Sequence, residues 1–141
     1  MTRRQHLDLL ARELGATLVL RPCAVDGEDG LRPAQIDCLR TVTVWEYSAR
    51  SNASYFAALH ELGHAAMGHV DDLENNYFPR ICEAEAEAWG WAFHMAIQPP
   101  TKETLALIRG PWLGSYVRTY SSADMSGPAF RAVANRIGLS A

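Results

Sequence analysis

The residues with the clearest chemistry lie in one short stretch, residues 58–69, which reads ALHELGHAAMGH and holds three of the chain's five histidines. Residues four apart on a helix share a face, so His60 and His64 can direct both imidazoles at one ion while Glu61 lies beside it. Catalytic zinc takes three protein ligands and a water, whose pKa the metal lowers until a nearby carboxylate can take its proton. The pattern predicts a zinc site with Glu61 as general base. The alternative is an ordinary histidine pair on a half-buried helix.

A third protein ligand is needed, and the first place to look is just after the motif. His69 follows His64 by five residues, which turns it away from the face of the two motif histidines and favours the helix surface or support of a ligand over ligation. A metzincin would need Gly and His at the positions that Met67 and Val70 occupy, so that class is excluded. The ligand is therefore expected on the next helix.

That next helix carries three glutamates, and helical phase separates them. Glu85 shares a face with apolar residues, whereas Glu83 and Glu87 share another with Gly90 and His94. A lone ionised glutamate on an apolar face is costly unless a cation accompanies it, and zinc held by two histidines supplies one. We predict Glu85 as the third ligand and Glu87 as the reserve candidate. A solvated acidic run is the alternative.

The charge distribution agrees with a cation site. Between residues 53 and 100, seven acidic residues stand against Arg80 alone. The whole chain has a net charge of -3, which offers no basic field to hold nucleic acid. We therefore expect a metal ion and exclude a direct nucleic-acid partner.

The composition predicts one globular domain over residues 1–141. Hydrophobic residues make up 48% of the chain, and a second core would leave each half too small to be stable. The three cysteines fit no paired metal spacing and are odd in number, which disfavours a disulfide framework and favours the cytoplasm. The sequence shows neither a signal peptide nor a run of membrane-spanning length, so no membrane partner is expected.

The segments before the motif predict an N-terminal helix followed by a short twisted β-sheet. Thr2 and Gln5 are spaced as a capping box, and Gly15 marks the end of the helix. Residues 16–20 and 40–45, ATLVL and RTVTVW, are rich in β-branched residues and are separated by turn residues at 25–33. With residues 35–38 as a third strand, we expect an antiparallel or mixed sheet. Because RTVTVW directly precedes the motif helix, we expect its edge to hold an extended substrate.

Helices are predicted for most of the remaining chain. Ser51 or Asn52 caps the motif helix, and Pro79 opens the glutamate-bearing helix, which must end at residues 99–100. Thr101 caps a short helix that ends at residue 110, and a last helix spans residues 126–138. The fold class is therefore α+β.

Three aromatic residues lie in the long connection between the last two predicted helices: Trp112, Tyr116 and Tyr120. They could cover the cleft, but aromatic residues in a small domain mostly build cores, so packing is the favoured interpretation. Trp89 and Trp91 are two residues apart and face different ways on their helix. We assign no function to them.

Taken together, these residues resemble the ImmA/IrrE family of zinc metallopeptidases. The HELGH motif follows Phe56 and precedes an E-x-E-A-x-x-aromatic-A pattern, EAEAWGWA at residues 85–92. The resemblance covers roughly residues 50–99. It implies a minimal, gluzincin-like zincin domain in which one zinc ion is bound by His60, His64 and Glu85, with Glu61 as the base. The chain departs from the family at Trp89, where Asn or Asp is common.

The resemblance also implies a regulatory protease. Family members are often bacterial or phage proteins that relieve repression by cutting a helix-turn-helix repressor. We therefore expect hydrolysis of a peptide bond in a protein or peptide substrate such as a transcriptional repressor. The alternatives are a toxin-like protein and a non-catalytic, zinc-containing interaction module. The intact Glu61 counts against the latter, because a site without hydrolysis needs no base.

Overall fold

A computed structural model of the chain describes residues 1–21, 34–37, 39–45, 51–69, 80–120 and 124–139. The predicted turn at 25–33 and the helix-opening Pro79 lie outside these residues. The described elements are helix α1 (Arg3–Glu13), strands β1 (Thr17–Arg21), β2 (Ala34–Ile36) and β3 (Thr41–Trp45), helices α2 (Asn52–Ala66), α3 (Ile81–Met95) and α4 (Lys102–Leu107), a π-helical turn (Ile108–Trp112), and helices α5 (Leu113–Thr119) and α6 (Pro128–Ile137). The predicted α+β class is confirmed.

The three strands form a mixed sheet with β3 in the middle. β1 runs parallel to β3, and β2 runs antiparallel to it with Gln35 opposite Thr43. The predicted three-stranded sheet is confirmed, although the third strand begins at Ala34 and ends at Ile36. Because β3 is hydrogen-bonded on both sides, the expectation that its edge holds a substrate is wrong. The edges that the described residues leave are those of β1 and β2.

Helix α1 begins and ends as its sequence predicts. The Thr2 hydroxyl accepts a hydrogen bond from the Gln5 amide (3.1 Å), and the Gln5 side chain accepts one from the Thr2 amide (2.8 Å). After Glu13 the chain turns at Gly15, whose φ of 65° favours glycine. Leu7 on the inner face is fully buried.

The motif helix α2 is held at its start by polar side chains and along its length by apolar ones. Ser51 accepts from the Ser54 amide (3.0 Å), which confirms it as the cap. Asn52 accepts from the Thr101 amide (3.0 Å) and donates to the Pro99 carbonyl (3.1 Å), which joins the start of α2 to the start of α4. Phe56 is fully buried and belongs to one core to which α1, β3, α3 and α6 also contribute. The core therefore fixes α2 against α3.

The glutamate-bearing helix α3 ends earlier than its prolines predict. Its last residue is Met95, and Ala96 is already extended. The amide of Ile97 donates to the Tyr55 hydroxyl of α2 (3.1 Å), and that hydroxyl is also 2.6 Å from Nδ1 of His6. The Tyr55 hydroxyl thus accepts the hydrogen bond that the Ile97 amide would donate within α3 if the helix continued.

Most of the described residues after Thr101 are helical. Thr101 caps α4 as predicted, but the helix passes into the π-helical turn instead of ending at Gly110. Pro111 lies inside that turn, and a Cβ on Gly114 would overlap the carbonyl of Arg109, so the tight geometry requires glycine there. The predicted connection contains α5, and the last helix is Pro128–Ile137.

Helix α6 is capped from outside by the glutamate-bearing helix. The carboxylate of Glu83 accepts from the amides of Ala129 (3.1 Å) and Phe130 (2.7 Å). A carboxylate at a helix N-terminus satisfies unbonded amides and complements the helix dipole. Glu83 is therefore a structural residue. None of the helices in the described part of the chain has the length and apolar character needed to span a bilayer.

Candidate metal centre

Three buried side chains from α2 and α3 converge on one point. The Nε2 atoms of His60 and His64 are 3.1 Å apart, and Oε2 of Glu85 lies 2.5 Å from Nε2 of His64 and 3.5 Å from Nε2 of His60. One ligand atom from each residue lies within 4.8 Å of the other two. The structure therefore brings together the three residues that the sequence predicts as ligands, and this buried group could hold a metal ion.

The helices explain this convergence. His60 and His64 are one turn apart on the face of α2 that packs against α3. Glu85 lies on the buried face of α3 and is 4% exposed, whereas Glu83 and Glu87 are only partly buried. Helical phase alone thus distinguishes Glu85 from its two neighbours.

The three converging side chains shift one another's pKa values. Burial by itself would raise the pKa of Glu85, but His60 and His64 hold it well below its usual value. Burial lowers the pKa of His60 to about 4, against the attraction of Glu85. Burial acts the same way on His64, but the hydrogen bond and charge of Glu85 outweigh it and raise the pKa. These shifts favour a neutral His60 and a proton shared between His64 and Glu85.

The donor set suits zinc. Two imidazole nitrogens and one carboxylate oxygen are ligands that zinc accepts, and a His₂Glu set leaves a fourth position for water. Replacing the proton between His64 and Glu85 by a divalent cation would compensate the buried carboxylate. The residues present therefore fit a zinc ion by their chemistry as well as by their spacing.

Glu61 lies next to the group without belonging to it. It directly follows His60 on α2, is partly buried, and is not among the three residues whose ligand atoms converge. Its negative charge also contributes to the raised pKa of His64, so it lies within electrostatic reach of that imidazole. Glu61 is thus close enough to the group for its charge to act on His64.

His69 and Glu87 lie behind His64. Nδ1 of His69 is 3.0 Å from Nδ1 of His64, and Nε2 of His69 is 3.1 Å from Oε1 of Glu87. Arg80 reaches the same oxygen at 3.4 Å. Glu87, the reserve candidate, thus contacts His69 and stands outside the converging group.

A stack of three aromatic rings ends on the other motif histidine, an arrangement that sequence reasoning missed. Trp89 stacks on His60 with ring centroids 4.1 Å apart, and Trp112 stacks on Trp89 at 5.6 Å with an angle of 6° between the rings. The π-helical turn ends at Trp112. No local pattern links these two residues, because their contact depends on how the turn and α5 fold back over α3.

Comparison with protein-family models, curated proteins and solved structures found no match for this chain.

Proposed function

We propose that this chain is a zinc-dependent metallopeptidase. The observation that carries the proposal is the Glu85 carboxylate, buried within hydrogen-bonding distance of Nε2 of His64 and close to Nε2 of His60, with Glu61 next to the first ligand. A buried, ionised carboxylate at the meeting point of two imidazoles is expected where a cation binds. The carboxylate that follows His60 in sequence supplies the base that hydrolysis needs.

Each residue has a distinct role in this proposal. His60, His64 and Glu85 hold the ion, and zinc when bound lowers the pKa of water and polarises a carbonyl group. Glu61 takes a proton from the attacking water and returns it to the leaving amine. The Trp89 ring, stacked on His60, keeps that imidazole from rotating.

The sheet offers one edge to an extended substrate on the side of the motif helix. β2 contacts α2, whereas β1 contacts α1. The Asp37 amide donates to the Thr41 carbonyl (3.2 Å), and because bonded pairs alternate in an antiparallel ladder, Gln35 also bonds to β3. The backbone groups of Ile36 therefore point outwards, where a substrate strand would pair with them.

The resemblance to the ImmA/IrrE family supports a choice of substrate and location. It favours a cytoplasmic, minimal zincin that cuts a protein such as a helix-turn-helix repressor.

The test is a Glu61→Gln variant assayed with repressors encoded near the gene. The change keeps size while removing the basic carboxylate, so zinc content should stay at one per chain while cleavage slows by about two to four powers of ten. Glu103→Gln, at an exposed position of α4, is the matched control and should cut normally. Glu85→Ala should lose the zinc itself. Normal cleavage by Glu61→Gln would contradict a role for it as the base.

A non-catalytic zinc site is the second candidate, and burial favours it. The side chains of His60, His64 and Glu85 are 8%, 10% and 5% exposed, and structural zinc sites are closed whereas catalytic ones keep an open position. If zinc raises the melting temperature but neither wild type nor Glu61→Gln cuts any substrate, this interpretation replaces the first.

A further inference from the structure

The side chains behind His64 form a continuous line that reaches the protein surface. His64 contacts His69 through their Nδ1 atoms (3.0 Å), and His69 contacts Glu87 through Nε2 (3.1 Å). The side chain of Arg80, which is 67% exposed, closes the line at 3.4 Å from Glu87. Three elements thus converge on the far side of one ligand: α2, the segment after it, and α3.

We propose that His69 and Glu87 act as a positioning pair that orients His64 and fixes the position of its proton for metal binding. This inference rests on the proposed metal site. We do not assign either residue as a ligand of the ion, because His69 contacts His64 and Glu87 contacts His69.

The contacts from His64 to His69 and from His69 to Glu87 allow only one arrangement of protons once His64 binds a cation through Nε2. Its Nδ1 then carries the proton and donates to Nδ1 of His69, which must accept through a lone pair. His69 therefore carries its own proton on Nε2 and donates it to the Glu87 carboxylate. A carboxylate can only accept at neutral pH, so Glu87 selects the tautomer of His69 that can receive the proton of His64.

The other motif histidine lacks such support in the part of the chain that the structure describes. Nδ1 of His60 is buried and has no hydrogen-bond partner there. That ring is held instead by stacking on Trp89. The two imidazoles are thus oriented by different forces, hydrogen bonding for His64 and ring packing for His60. The positioning pair is therefore specific to one ligand.

Zinc affinity of the purified full-length chain tests the proposal. His69→Leu removes the hydrogen-bond acceptor for His64 and puts an apolar side chain in its place. Removal of such a partner typically weakens metal binding by about 10–100-fold. His69→Asn places an oxygen near the position of Nδ1 and should recover much of that loss. His94→Leu, at an exposed position of α3, is the matched control and should bind zinc as the wild type does.

A second measurement reads the proton positions directly. In the zinc-loaded wild type, nitrogen-proton correlation spectra of the imidazoles should show His69 protonated at Nε2 and bare at Nδ1, with His64 protonated at Nδ1. In Glu87→Ala this preference of His69 should weaken, because the acceptor at Nε2 is gone. If Glu87 only filled space, its replacement by alanine would leave the tautomer of His69 unchanged.

The outcomes separate this inference from the proposed function. Unchanged zinc affinity in His69→Leu, or a proton on Nδ1 of His69 in the loaded wild type, overturns the positioning pair and leaves the metallopeptidase proposal intact. Failure of the wild type to bind zinc overturns both. Should His69→Leu fail to fold, the spectra of the wild type and Glu87→Ala still decide the question.

Discussion

A Cβ atom on Gly63 would lie 2.7 Å from the carbonyl oxygen of Ala88. Helices α2 and α3 therefore touch backbone to backbone at the residue before His64 and less than one turn after Glu85. A glutamate reaches two histidines on a neighbouring helix only if the two helix axes are close. The glycine within HELGH thus permits the close approach of the two helices that carry His64 and Glu85.

Replacing Gly63 by alanine should separate the helices and weaken the metal site. We expect a loss of about 1–3 kcal/mol in the free energy of unfolding, because the new methyl group meets rigid backbone, together with weaker zinc binding. Denaturant unfolding and a zinc titration measure the two effects.

Gly90→Ala on α3 is the matched control, since its Cβ would meet only Val133 at 3.9 Å. It should raise stability by up to about 1 kcal/mol through helix propensity. Equal effects of the two substitutions would show that contact at Gly63 does not hold the helices together.

Zinc binding should release a proton from His64. The pKa of His64 in the metal-free protein is raised above 6.5, so below that raised value the metal must displace a proton, whereas the pKa of His60 is about 4 and it is already neutral. Apparent zinc affinity should therefore fall by about tenfold per pH unit as the pH drops below the His64 pKa.

Calorimetric titration at a pH below 6.5, in two buffers with different heats of ionisation, measures the protons released per zinc. We expect close to one proton there and a value approaching zero as the pH rises above the His64 pKa. Two protons at the lower pH would mean that His60 is charged as well.

The order of the strands leads to a prediction about substrate binding. Ile36→Pro removes an amide that points away from β3, so it should slow cleavage of a long peptide and leave zinc content unchanged. Leu20→Pro in β1 is the matched control, because both side chains are partly buried against the core and β1 lies on the opposite edge of the sheet. A larger loss of cleavage in Leu20→Pro would place the substrate along β1.

Local chemistry explains which features the sequence could predict. The starts of α1, α2 and α4 could be predicted because one side chain, from Thr2, Ser51 or Thr101, bonds the nearby backbone. Glu85 could be distinguished by helical phase, which depends only on spacing. Whether those residues bind zinc and hydrolyse a peptide remains a prediction.

Features that depend on distant parts of the chain could not be predicted. The alternation of residues in RTVTVW is the same for a central and an edge strand, so the middle position of β3 gave no local signal. The end of α3 depends on the hydroxyl of Tyr55, and the ring that stacks on His60 is Trp89 of α3, which in turn stacks on Trp112. In each case the deciding partner comes from a different element.

The stack of Trp112, Trp89 and His60 gives the protein an internal optical probe. The two indoles are nearly parallel, and one of them lies against an imidazole of the site. Parallel indoles at this distance couple their electronic transitions, and an imidazole that gains positive charge accepts an excited electron from a neighbouring indole. We therefore expect fluorescence and near-ultraviolet circular dichroism of the unlabelled chain to respond to the state of His60, so that the binding of an ion at the proposed site can be followed in real time without a dye.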